Sequence, residues 1–239
     1  MKILVIGDPH GKLPKKIPNN VDLILVTGDI GKADLARRRA FENIERKKKG
    51  LPELEDDANF SKKVWKEIYD STLQILKRLS KIAPVYTILG NVGGSMIKES
   101  ERKKEEKKWK IKLPSFHLVL NRIKNFHLVR NKIRKVKGLR VGFLEYFNDI
   151  CWSKEFNEKD KKEIKKAKRE TTKAKKILEW FAKQKINVLL CHQPPYGVLD
   201  RMMNKKGPKH WQGKHAGSKV ILDFIKKYQP KIVLCGHIH

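Results

Sequence analysis

Three cysteines in 239 residues are too few, and too odd in number, for a disulfide framework, and the spacing of Cys151, Cys191 and Cys235 matches no zinc motif. Cys191 and Cys235 each close an apolar run, so they read as reduced core thiols. No run is long enough to cross a membrane, and the apolar run after Lys2 is too short for a secretory leader. These absences predict a cytoplasmic protein with no membrane partner. Acidic residues are scarce as well: 26 Asp and Glu stand against 56 Lys and Arg, a formal charge of +30. Such a surplus attracts polyanions, so nucleic acid is one partner class it allows. A solvated, lysine- and glutamate-rich surface of the kind found in heat-adapted proteins is the other use for it. No aromatic series interleaves with the lysines as a base-stacking platform requires, which counts against a surface that reads a nucleic-acid polymer.

What the chain does contain is a set of short apolar runs that stop abruptly at polar residues. Lys2 to Ile6 is β-branched and apolar, reads as a strand buried on both faces, and is followed by Gly7 and Asp8-x-His10. Alternation in an extended segment sends Asp8 and His10 to one side of the strand end. Leu23 to Val26 runs into Thr27-Gly28-Asp29, and Gly28 permits the tight turn that lets Asp29 reach toward Asp8. Val85 to Leu89 runs into Gly90-Asn91, Val188 to Cys191 into His192, and Ile232 to Cys235 into Gly236-His237-Ile238-His239. Laid side by side with crossover helices between them, these strands would bring their carboxyl ends to one rim, where open α/β sheets place their sites.

Between the runs, the length suits one α/β domain over residues 1–239, with charged helical insertions near 32–81, 95–112 and 154–184. Residues 32–49 form a mostly polar helical pattern. Val64, Ile68, Leu73, Leu76 and Leu79 recur at helical spacing and predict a long helix over 60–82. The charge run 95–112 predicts an exposed helix or a mobile lid, with a solvated face the favoured use. Residues 116–120 and 126–129 are strand candidates, and 132–145 predicts a hairpin with Gly138 in its turn, opening a second sheet. Asn157 or Asp160 could cap a lysine-rich helix running to Gln184, the element best suited to touch nucleic-acid phosphates. Gly217-Ser218 predicts the start of a helix through Tyr228.

In order and spacing, Asp8-x-His10, Gly28-Asp29, Gly90-Asn91, His192 and Gly236-His237-x-His239 resemble the calcineurin-like metallophosphoesterases, with His192 to Gly197 and Gly217-Ser218 closest to the small archaeal and bacterial members. The resemblance implies a four-layer αββα sandwich of two mixed sheets flanked by helices, with two metal ions at the carboxyl ends of the strands. It implies that Asp8, His10, Asp29 and His239 hold one ion and that Asp29, Asn91, His192 and His237 hold the other. The catalytic assignments that follow are Asp29, Asn91 and His192. Carboxylate, imidazole and amide ligands suit manganese first, with iron, zinc, cobalt or nickel as alternatives. A water bridging two such ions loses a proton readily and can attack phosphorus, so no side-chain nucleophile is required.

The sequence departs from that family pattern in two places. His239 is the final residue, where family members continue, so either the sequence is a fragment or the site is finished by a chain end. Where the family commonly has Gly-Asn-His followed by an acidic residue, with the histidine protonating the leaving group, this chain has Gly90-Asn91-Val92-Gly93. Valine donates no proton, which favours diesters or activated esters whose leaving groups need less help. His215 and His10 are the histidines that could substitute. The expected activity is metal-dependent hydrolysis of phosphodiesters through a metal-bridging hydroxide. Phosphomonoester hydrolysis, and a basic nucleic-acid-binding protein or nuclease on the same site, are the alternatives.

Overall fold

The structure, a computed structural model, describes residues 1–94, 96–203 and 207–238. The chain forms two four-stranded sheets flanked by helices, the first parallel and the second mixed. In chain order the elements are β1 (Ile3–Ile6), β2 (Leu23–Val26), α1 (Asp34–Lys48), α2 (Ala58–Leu79), β3 (Val85–Thr87), α3 (Glu99–Trp109), α4 (Phe116–Leu120) and β4 (Phe126–Leu128), followed by β5 (Lys132–Val136), β6 (Leu139–Leu144), α5 (Ile150–Phe156), α6 (Lys161–Lys183), β7 (Val188–Cys191), α7 (Lys219–Tyr228) and β8 (Ile232–Leu234). Two compact units emerge, residues 1–86 with 92–127, and residues 87–91 with 128–239.

In the first unit β2 is buried along its whole length, as a Leu-Ile-Leu-Val run between two neighbours should be. β1 pairs with it in parallel, with Ile6 opposite Val26. β1 lies at the sheet edge, however, and Val5 is 42 % exposed, so the expectation of a strand buried on both faces is corrected. Asp57 accepts from the Phe60 N–H and starts α2, which buries Trp65, Ile68, Thr72, Ile75, Leu76 and Leu79. Val64 and Leu73, expected on its inner face, are only partly buried and flank that core. α1 and α3 bury nothing, in keeping with their charge. α3 is held instead by Arg102, whose guanidinium binds Glu99, Glu106 and the Leu113 carbonyl. The hydrogen bond from Arg102 keeps the Glu99 carboxyl below its usual range.

Residues 116–120, expected as a strand, form helix α4 instead. Ser115 accepts from the Leu118 N–H and caps a turn that buries Phe116 and Leu120. Five apolar residues are too few for periodicity to separate helix from strand, and the cap decides the outcome.

The second unit carries the 132–145 hairpin as expected, with β5 antiparallel to β6 and Val136 opposite Leu139. β6, β7 and β8 are parallel, with Leu144 opposite Cys191 and Leu190 opposite Leu234, so all three strands end at the same rim. Asp160 accepts from the Glu163 N–H and caps α6. That helix turns Ala167, Thr171, Ala174, Leu178 and Phe181 inward. Its lysines at 161, 162, 165, 166, 168, 173, 175, 176 and 183 are all exposed. Ser218 accepts from the Ile221 N–H and caps α7 at the predicted position.

Candidate functional site

In the first unit, Asp8, His10 and Asp29 converge, and one ligand atom from each lies within 4.8 Å of the others. Asp8 and Asp29 come from the loops after β1 and β2, whose parallel pairing puts both loops at one rim. Those loops are stitched together. The His10 N–H donates to the Asp29 carbonyl at 3.0 Å and the Gly11 N–H to the Ile30 carbonyl at 2.8 Å. Gly28 at φ 117° and Asp29 at φ 38° make the tight turn that the Gly-Asp dipeptide predicts, and His10 is also left-handed at φ 43°.

Both carboxylates are buried, Asp8 at 6 % and Asp29 at 4 % exposure. Burial is costly for a carboxylate unless donors surround it, and donors are at hand. The Thr27 hydroxyl donates to Asp8 Oδ1 at 2.7 Å and accepts from the Asp8 N–H at 3.3 Å. The Val92 N–H donates to Asp29 Oδ1 at 2.7 Å, while Asp29 Oδ2 lies 3.9 Å from His10 Nε2. Arg37 Nη2 lies 3.0 Å from His10 Nδ1. The same Nη2 lies 3.4 Å from Nε2, so the guanidinium faces the nitrogen edge of the imidazole. Thr27 and Arg37 escape sequence reasoning because neither is a ligand type placed by a strand end. Thr27 could have been found as the residue just before Gly28-Asp29.

In the second unit, Asn91, His192 and His237 converge. Asn91 Oδ1 lies 2.8 Å from His192 Nε2 and 3.0 Å from His237 Nδ1, so one amide oxygen faces two imidazole nitrogens. His192 is fully buried directly after β7. The Gly236 N–H donates to the His192 carbonyl at 2.9 Å, which fixes the β8 loop on the β7 loop, and His237 turns at φ 76°. Tyr146 follows β6 and completes this rim. Its ring lies 5.8 Å from the His192 ring and 5.8 Å from the His237 ring. Tyr146, two residues past Leu144, would have been flagged had β6 been read as ending at the same rim.

The remaining predicted residues fall as follows. His239 lies outside the described residues. Val92 packs its side chain against the apolar cluster of the first unit while its N–H serves Asp29. His215 Nδ1 lies 2.7 Å from Oδ1 of Asp200, a carboxylate only 1 % exposed that also accepts from the Gly197 and Gly217 N–H groups.

The two donor sets suit divalent ions. Two buried carboxylates with an imidazole, and two imidazoles with an amide oxygen, are the hard and borderline donors that first-row metals take. The ring nitrogens and the amide oxygen already converge, so little side-chain rearrangement separates this arrangement from one around an ion.

A family model described as calcineurin-like phosphoesterase matches residues 1–239. No curated protein matches the chain. A solved crystal structure 11 % identical to it superposes with a TM-score of 0.57 over 99 % of this chain and 83 % of its own, a likeness of fold alone. The ligand types at the strand ends and the match along the whole sequence agree: the chain belongs to the calcineurin-like phosphoesterases, metal-dependent hydrolases of phosphate esters.

Proposed function

We propose that this protein is a phosphodiesterase that uses two divalent ions, manganese foremost. Asp8, His10 and Asp29 serve one ion and Asn91, His192 and His237 the other, with His239 added by resemblance to the family. Asp29, Asn91 and His192 are the residues on which turnover depends. Ions held there would acidify a water to serve as nucleophile and neutralise phosphate oxygens as charge develops. The protein's own part is to fix the donors, as Thr27 does for Asp8 and Val92 for Asp29. Three thiols that form no disulfide suit the reducing cytoplasm as its compartment.

The observation that carries the diester reading is Val92. At the position where the family commonly has its proton-donating histidine, this chain has a side chain packed into an apolar cluster. A leaving group that departs without a proton is the chemistry such a site favours. The test compares hydrolysis of bis(p-nitrophenyl) phosphate and p-nitrophenyl phosphate with added manganese, in the wild type and in Asp29→Asn. The diester should have the higher kcat/KM, and Asp29→Asn should abolish both activities. A faster monoester rejects the diester preference, and an unchanged Asp29→Asn rejects the ligand assignment.

A second reading, nucleic acid as partner or substrate, rests on the exposed lysine face of α6, where Lys166 is ion-paired with Glu170 at 3.9 Å and the rest of the helix is strongly positive. Binding through that face should weaken steeply with salt. Negligible binding of RNA and DNA at low salt would remove this reading.

A further inference from the structure

Four rings in the second unit have no part in holding metal. α5 places Trp152 and Phe156 on one face at i and i+4, their ring centroids 4.3 Å apart. Trp211, from the short 3-10 turn Lys209–Trp211, meets them edge-on at 5.4 and 4.9 Å and is buried as the floor of the cluster. Trp152 then reaches the candidate ligand itself. Its ring centroid is 5.5 Å from that of His237, and Tyr146 stands 5.8 Å from the same imidazole. His237 is therefore flanked by two large aromatic rings.

A cluster that served only as core would be enclosed, and this one is not. Ser153 is the only residue of α5 that is buried, while Tyr146, Trp152 and Phe156 all remain partly open to solvent. The helix is nonetheless firmly placed. Buried Asp149 caps it by accepting from the Cys151 N–H, and the Ser218 hydroxyl donates to the other oxygen of the same carboxylate at 2.6 Å. Aromatic rings partly open to solvent beside a candidate ligand imidazole are what a flat group next to a phosphate would stack on. At the edge of the cluster Lys214 lies 5.7 Å over the Phe156 ring and pairs with Glu155 at 3.1 Å, so that edge is charge-balanced and the aromatic faces carry the recognition.

We propose that Trp152, with Tyr146, forms a subsite that stacks the flat aromatic group of the substrate ester against the metal-ligating edge of the second unit. This inference rests on the phosphoesterase reading and narrows it. The substrates it selects carry an aryl group or a nucleobase next to the phosphate, and aliphatic esters lack the contact.

The test is a binding experiment on the full-length, manganese-loaded protein by calorimetry, so that it does not depend on turnover. Matched pairs isolate the ring: AMP against ribose 5-phosphate, and phenylphosphonate against methylphosphonate. The wild type should bind the aromatic member of at least one pair about tenfold or more tightly, as stacking of one ring allows. The pair with the larger ratio tells whether the natural group is a nucleobase or a simple aryl ring. Trp152→Ala should bring that ratio near one, and Trp152→Phe should restore most of it. If Trp152 only steadies His237, the alanine variant weakens both members of a pair equally and the ratio stays, which overturns the proposal. Equal binding within both pairs by the wild type overturns it too. An intact ratio in a protein that hydrolyses no diester would leave the subsite standing and remove the diesterase reading alone.

Discussion

Replacing Thr27 by valine tests whether the first donor set is built from its supports outward. The two side chains have nearly the same shape, and Thr27 is fully buried at the end of β2, so the change removes a hydroxyl without opening a cavity. With it go the 2.7 Å bond from the hydroxyl to Asp8 Oδ1 and the 3.3 Å bond it accepts from the Asp8 N–H. A hydrogen bond to a charged group contributes about 1.5–3 kcal/mol, so a loss of about 2 kcal/mol in the metal-free protein is expected. In a chain of this length that corresponds to a fall in Tm of about 4–8 °C. The larger effect should be on manganese. An outer partner that fixes a ligand is typically worth about 10–100-fold in affinity, since the carboxylate must then be oriented as the ion binds. Calorimetric titration of manganese into wild type, Thr27→Val and Thr27→Ser reads it directly, with the serine variant keeping the hydroxyl and most of the affinity. If Thr27→Val binds manganese within twofold of wild type, Asp8 is not a ligand held by Thr27 and the assignment of the first site fails.

Asp200 supports a different prediction. It gathers the Gly197 and Gly217 N–H groups and the His215 imidazole around one buried carboxylate, so Asp200→Ala should cost about 3 kcal/mol or more in denaturant unfolding, and Asp200→Asn less because one acceptor oxygen remains. A loss below about 0.5 kcal/mol in both would show that the loop does not depend on that carboxylate. Burial, reinforced by Cys235, pushes the Cys191 thiol well above its ordinary value of 9.0. The folded chain thus holds the Cys191 proton while the unfolded chain releases it, so stability is full at neutral pH and declines as pH climbs past the ordinary thiol value. Unfolding measured at neutral and at strongly alkaline pH should show a smaller decline in Cys191→Ala than in wild type, and equal declines would refute the assignment.

The strand ends were readable because each combines two independent signals, a buried apolar run and a ligand-type residue just past it. Leu23–Val26 before Asp29 and Val188–Cys191 before His192 are the clearest, and both strands are wholly buried. β1 misled because an Ile-Leu-Val-Ile run looks the same at a sheet edge as in its middle, and neighbours, not residues, decide exposure. α5 went unread for lack of length: seven residues with one buried position carry no periodicity, although Asp149 just before it is a regular N-cap. Thr27, Arg37 and Asp200 escaped because they support ligands and loops through contacts made only by tertiary structure.

His10, Asp29 and His237 share a feature that alternation along a strand does not predict: all three have left-handed backbone, at φ 43°, 38° and 76°. Side chains with a Cβ reach that region at a cost, and residues held in it are of order 1–3 kcal/mol above a relaxed backbone. The stitches observed around them oppose that cost. The His10 N–H bonds to the Asp29 carbonyl, the Val92 N–H to the Asp29 carboxylate, and the Gly236 N–H beside His237 to the His192 carbonyl. Asp and His tolerate this region better than β-branched residues do, so the residue types that suit the metal also suit the turn. Each loop thus turns three or four residues past its strand end, at the residue that carries the donor. Parallel pairing of β1 with β2, and of β7 with β8, holds the loops of each unit side by side, so the donors of each set converge.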